Sequence, residues 1–394
     1  MRTINKRGII PKLWMAGSAI LSTLILTPLF FDPQAVAGGV GGAAPGGYGL
    51  KIYRVSSDLY PFVQVYFRTF DQKMQPLVNL NYMNIGIMVK GKSYDPRKLQ
   101  YTVQSMRQRQ EATRTVFVLD ASGSMKGAPF MAAVRAAGRY IDSKRPQDEV
   151  AVLAIRDRPE GYDIVSQFER DPVTIAHRMA DVQADGTKTR LYDSIGAALQ
   201  MCGMAAQGSD VAPGPSNYIV SCSIVVFSDG FDEGSALSRE ELNARFTNLE
   251  IPIPVYSLAY SKIPKYKEHF KNLESISKNS FGIYYLLGDT VDRMQQIVEE
   301  ILNIILSDYV ATVRSYLEID GEDHNFKLGV EYPSGSGKYT YQGARFEAIE
   351  VPPAPALQAI MAQLGQSIPA LPEGQLPYFD KPAAAGAPAG ARAE

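Results

Sequence analysis

The sequence predicts an α/β protein in which an open, doubly wound, mostly parallel sheet, residues 114–309, is inserted into a β-sandwich built from the segments on either side. Three observations predict this. Between Thr115 and about Tyr309, apolar strand-like segments alternate with helical ones, and strands that are apolar throughout, each followed by a helix, belong to a parallel sheet covered on both faces. On each side of that stretch the hydrophobic period falls to two, as in half-buried strands. Neither flank carries enough apolar surface to fold comfortably alone, so the two are expected to pair.

The first 37 residues have the form of an export signal. Arg2, Lys6, Arg7 and Lys12 precede an apolar run from Leu13 to Phe31, and Ala35-Val36-Ala37 follows with the small-x-small form of a cleavage site. The run is 19 residues long, so an uncleaved membrane anchor stays open as the alternative. Both forms place the rest of the chain outside the cytoplasm (periplasm, cell surface or extracellular medium), because the basic residues stay inside. With no other eukaryotic cue, the signal reads as bacterial. Residues 38–58 open with GGVGGAAPGGYG and read as a Gly-rich flexible linker.

Strands of the sandwich are expected within 59–113. Val63, Val65 and Phe67 alternate with Gln64, Tyr66 and Arg68, and Met83, Ile85, Ile87 and Val89 repeat the pattern. The basic stretch of Arg107, Arg109 and Arg114 reads as a solvated face. Inside 114–309, the segments TVFVLD, EVAVLAIRD, IVSQF, YIVSCSIVVFSDG, IPVYSLAY and FGIYYLL read as strands. Helices are expected near 127–143, 172–182, 190–205, 236–249, 265–279 and 290–308. Period two returns over 310–352, where Phe326, Leu328, Val330 and Tyr332 face one way. The Pro/Ala-rich tail, 353–394, is expected to be largely disordered, with room for a short helix near Leu357–Leu364.

Composition narrows function. With 40 basic and 41 acidic residues there is no basic excess of the kind a nucleic-acid binder shows. The only two cysteines, Cys202 and Cys222, form a disulfide candidate in an oxidising compartment, the alternative being two buried thiols. They do not make a zinc set with His177, His269 and His324, which are scattered along the chain.

The chemistry concentrates at VFVLDASGSM, residues 116–125. In doubly wound sheets the binding crevice lies beyond the carboxyl ends of the strands. Asp120 ends one strand and Asp229 another, while GTKTRLYDSIG places Thr187 and Thr189 in a loop leading to a helix on the same side. Enzymatic readings fail on residue types. A phosphoryl-accepting aspartate would usually have a second carboxylate at position 122, which is serine. Neither Ser122 nor Ser124 is flanked by the two glycines of a nucleophile elbow, and no general base is evident. YPSGSGKYT, residues 332–340, lacks the first glycine of a phosphate loop and reads as a turn between strands.

A hard divalent cation fits better, since carboxylate and hydroxyl oxygens on alternate residues can converge on one point. Two carboxylates roughly cancel the ion's charge and neutral hydroxyls reduce it no further, so the ion would still attract an outside anionic oxygen. Strand-ending Asp and Ser residues also cap helices, and Ser124 is a candidate N-cap. Asp120-Ala-Ser122-Gly-Ser124, then Thr189, then Asp229 resemble the metal-ion-dependent adhesion site (MIDAS) of von Willebrand factor type A (VWA) domains. Thr189 is preferred over Thr187 because the residues after it keep the family's spacing. The resemblance spans about 114–309 and implies a Rossmann-like architecture. It also implies that the serines and the threonine coordinate Mg²⁺, Ca²⁺ or Mn²⁺, with the aspartates binding directly or through water. A partner's Asp or Glu would complete the shell, and the helix over Thr290–Ser307 could shift with it. The expected function is a non-enzymatic, exported binding protein of the cell envelope that engages a protein ligand, with no nucleic-acid partner and membrane contact only through an uncleaved N-terminus. The alternative is an envelope assembly scaffold whose metal mainly stabilises loops.

Overall fold

The structure, a computed structural model, describes residues 48–72, 75–205, 219–249, 251–333, 335–349 and 355–379. The export segment 1–37, residues 38–47 of the linker and residues 380–394 of the tail lie outside the described residues. Among those described, no helix is long and apolar enough to cross a membrane.

The N-terminal flank forms β1 (Tyr48–Leu59), β2 (Phe62–Asp71), β3 (Ile85–Val89), β4 (Lys92–Ser93) and β5 (Tyr101–Ser105). The α/β unit follows as β6 (Ala112–Asp120), α1 (Ala128–Ser143), β7 (Glu149–Ile155), β8 (Tyr162–Glu169), α2 (Pro172–Ala180) and α3 (Leu191–Ala205). It continues as β9 (Ile219–Ser228), α4 (Arg239–Thr247), β10 (Val255–Tyr260), α5 (Phe270–Asn279), β11 (Tyr284–Gly288) and α6 (Met294–Leu306). The C-terminal flank adds β12 (Tyr309–Arg314), β13 (Asp323–Glu331), β14 (Tyr339–Glu347) and α7 (Pro355–Ser367).

The α/β unit is a six-stranded sheet in the order β11-β10-β9-β6-β7-β8, parallel throughout except that β8 runs antiparallel to β7. The exception is topological: no helix separates β7 from β8, and without a crossover the next strand can only return. Each face is apolar and covered. Phe117, Leu119, Val152, Val225 and Phe227 pack under α1, α2 and α6, while Val116, Val118, Ile224 and Val226 pack under α3, α4 and α5. Cys202 of α3 and Cys222 of β9 are joined by a disulfide, with Cα atoms 5.7 Å apart.

The flanks interleave rather than fold side by side. One sheet has the order β1-β2-β12-β5 and the other β14-β13-β3-β4, so each mixes strands from both ends of the chain. Their inner faces share one core, in which Leu50, Val65 and Phe67 meet Ile87, Leu328 and Val330. The expected insertion into a sandwich is therefore the observed architecture.

Several local expectations change. The linker assigned to 38–58 gives way to β1 from Tyr48, because Tyr48, Leu50 and Ile52 alternate into the sandwich core and the glycine-rich run before them masks that period. Gln64 and Tyr66, which alternate with the core-facing residues of β2, are buried as well, because the outer side of that sheet is covered at the junction with the α/β unit, where Tyr66 packs on Met106 and Val310. Arg109 and Arg114 are not solvated either. Arg109 pairs with Glu111, and Arg114 with Glu149 at 2.7 Å, all with largely buried side chains. In the tail, α7 is longer than the expected short helix and packs with Ile368 on Leu59 and Phe62, held by Arg314, which donates to the Ile368 carbonyl at 2.8 Å. The segment 332–340 links β13 to β14, with Gly337 and Ser336 bonded to Glu331.

Candidate metal centre

The site lies at the carboxyl ends of β6 and β9, neighbours at the middle of the central sheet. β6 ends on Asp120 and β9 ends on Ser228, so Asp229 emerges beside Asp120. Three loops meet there, each hydrogen-bonded to the next. The loop after β6 is tied to the loop before α3: Gly123 donates to the Gly186 carbonyl at 2.8 Å, and Gly186 donates to the Ala121 carbonyl at 3.0 Å. The loop after β9 is tied to β6 through the Ser228 hydroxyl, which donates to Asp120 Oδ2 at 2.7 Å. It is tied to the loop before α3 by the Glu233 amide, which donates to the Thr189 carbonyl at 2.6 Å.

The two carboxylates are buried, Asp120 and Asp229 each being 1% exposed. Asp120 Oδ1 accepts from the Ser122 amide at 3.0 Å, and Asp229 Oδ1 accepts from the Phe231 amide at 3.0 Å. Asp229 Oδ2 is also buried, and the Ser124 hydroxyl lies against this carboxylate. Burial first, and then the charge of Asp229, push the Asp120 carboxyl up to about 6. Burial likewise raises Asp229, opposed by the Ser124 hydroxyl, the Phe231 amide and nearby His269. Burial therefore sets both carboxyls against ionising together.

Three candidate hydroxyl residues lie on the same loops. Ser122 Oγ and Ser124 Oγ lie 3.0 Å apart, Ser122 buried and Ser124 at the solvent-exposed mouth. Neither serine caps α1, whose N-cap is Gly127 without a side-chain hydrogen bond, so helix capping does not account for them. Thr189 is 4% exposed. Thr187 is committed elsewhere, its amide and hydroxyl both donating to Asp157 Oδ2. Two carboxylates with hydroxyls are an all-oxygen set suited to a hard divalent cation and unsuited to a histidine- or thiolate-seeking metal. Among the described residues no group of three or more His, Cys, Asp or Glu is placed to hold a metal ion.

Sequence reasoning missed the residues that shape this set. Ser228, next to Asp229, orients Asp120 from the neighbouring strand; its serine-aspartate-glycine context was the available signal. Gly230 has φ +77, and a Cβ there would meet the His269 carbonyl oxygen at 2.6 Å, so only glycine lets the loop pass this close. Beside it, Phe231 stacks on Tyr266 at 5.2 Å between ring centroids and meets His269 edge-on at 4.9 Å. Nothing local in the sequence links these rings.

Comparison with known proteins bears on the same region. Residues 115–231 match the family model of the von Willebrand factor type A domain. No curated protein matches the chain. Similar solved structures include the conserved hypothetical protein BatB from Bacteroides thetaiotaomicron, with TM-score 0.37 and 15% identity over 49% of this chain and 98% of that one. The VWA domain of SpRpn10 is another, with TM-score 0.35 and 15% identity over 48% and 94%. The family match, falling on β6 to the loop after β9, supports a von Willebrand factor type A domain in this part of the chain.

Proposed function

We propose that this is an exported, non-enzymatic binding protein that captures a partner protein through a divalent cation. Domains of this type often mediate protein–protein interaction. Asp120, Ser122, Ser124, Thr189 and Asp229 would hold Mg²⁺, Ca²⁺ or Mn²⁺, which when bound supplies an open position for a partner's Asp or Glu. The observation that carries the reading is the pair of buried carboxylates, Asp120 and Asp229, at the ends of adjacent strands beside the Ser122 and Ser124 hydroxyls. Two buried carboxylates side by side disfavour each other's charge, and a bound cation would offset that repulsion. Ser124 at the mouth leaves the set open to an incoming ligand. The N-terminal signal motif supports placement in the cell envelope.

The three loops are already bonded directly to one another, which favours capture over a purely loop-stabilising role for the metal. The test is calorimetric titration of the folded protein with each cation, followed by partner capture from envelope extracts with wild type and Asp120→Ala. Saturable cation uptake, with capture lost in the variant and in chelator, is expected. No uptake at millimolar cation, or capture indifferent to both, rejects the proposal. A chelator-induced fall in melting temperature with capture unchanged would favour the scaffold role.

A further inference from the structure

A second opening lies between the amino-terminal side of the central sheet and the first sheet of the sandwich, away from the carboxyl-end site. It is a cavity of about 510 Å³, within the usual range for small-molecule sites. Its walls come from β1 and β2, the start of β9, the approach to β11 and the end of α6. Phe70, Phe281, Ile283 and Ile304 give it an apolar lining.

The charged groups on its wall are unequally matched. Arg68 is bound in a fork by Asp308, at 2.7 and 2.9 Å, and Lys278 pairs with Glu274 at 2.6 Å. Lys51 remains. It makes no ion pair among the described residues, and its ammonium lies 4.8 Å from the centre of the Phe281 ring. The Tyr53 hydroxyl, two residues along the same strand face, is buried against Asp308, which already holds Arg68. The wall therefore carries one positive charge, Lys51, that among the described residues meets an aromatic ring and no carboxylate, above an apolar floor.

We propose that this cavity binds a small organic carboxylate with an apolar body, its carboxylate at Lys51 and its body against Phe281 and Ile283. Partial burial pushes the Lys51 ammonium below its ordinary range, and an anion beside it would offset that desolvation. An uncharged apolar molecule would leave the lysine uncompensated, and a small hydrophilic anion would leave the apolar lining uncovered.

The experiment uses decanoate, decan-1-ol and acetate as probes, titrated calorimetrically into the full exported chain with chelator present, so that the carboxyl-end site is not read. Decanoate is expected to bind saturably below millimolar, with acetate and decan-1-ol at least tenfold weaker. Lys51→Met should weaken decanoate at least tenfold and leave decan-1-ol unchanged, and Lys51→Arg should restore decanoate binding. Circular dichroism on each variant confirms the fold. Absence of decanoate binding to the folded wild type, equal binding of acetate, or wild-type decanoate affinity in Lys51→Met would each overturn the proposal.

Discussion

Ser228 at the end of β9 donates its hydroxyl to Asp120 Oδ2 at the end of β6 across 2.7 Å, so one candidate metal ligand is aimed by the residue that precedes the other. The two strands are neighbours in the sheet, and the bond fixes the spacing of their ends.

Ser228→Ala removes that bond from a buried carboxylate. The metal-free protein should lose about 1–3 kcal/mol, read by chemical denaturation. The Ser228 hydroxyl also holds the Asp120 carboxyl down against the burial that raises it. The variant should therefore bind cation more weakly at neutral pH, and an unchanged cation affinity would show that Ser228 does not position Asp120.

The folded Asp120 carboxyl titrates near 6 against an ordinary 3.8. Between those values the folded protein holds more protons than the unfolded chain, so this group's contribution to stability is greatest below pH 4 and declines as pH rises through 6. The decline amounts to ~3 kcal/mol for a shift of this size. Cation binding runs the other way, since the ion competes with the proton. Affinity should fall about tenfold from pH 7 to pH 5, measurable by titration calorimetry at the two pH values; a flat profile would mean that the cation displaces no proton.

Arg68 of β2 and Asp308 after α6 form a two-point ion pair where the sandwich meets the α/β unit. Breaking a buried pair strands the remaining charge, at a cost of about 3–5 kcal/mol. Arg68→Leu and Asp308→Asn should both destabilise by this order, while the double variant should cost less than the sum of the two. A double-mutant cycle in denaturant measures the coupling.

β12 of the C-terminal flank sits between β2 and β5 of the N-terminal flank, and β13 pairs with β3. A fragment of residues 48–105 should therefore be unfolded alone and gain sheet structure when mixed with residues 309–349. Circular dichroism of the separate and mixed fragments tests this, and independent folding of either one contradicts it.

Much of this fold was legible in the sequence because burial dictates pattern. The central strands are apolar on both faces and read as parallel and covered, and Val65, Ile87 and Leu328 could reach one core only if the flanks combined. What stayed hidden depended on tertiary context. The burial of Tyr66 and Gln64 depends on another unit packing over them, and Arg109 looks solvated until Glu111 folds back on it. At the candidate site, Asp120, Ser122, Ser124 and Asp229 stood out because oxygen donors fall at strand ends and loops, while Thr189 was singled out from Thr187 by the resemblance to the family's spacing. The meeting of Phe231, Tyr266 and His269 is a product of chain folding with no sequence period to reveal it.

The inserted unit leaves the sandwich after β5 and returns at β12, and these strands are hydrogen-bonded neighbours, with Ser105 opposite Tyr309. The two crossings are stapled together, as the Met106 amide donates to the Asp308 carbonyl at 2.7 Å and Arg107 to Asn303 at 2.9 Å. A pull applied at the rim of the central sheet thus enters the sandwich through a two-stranded stem, which resists twisting as a single tether cannot. It reaches the sheet as shear along a backbone ladder instead of being absorbed by a swivelling joint.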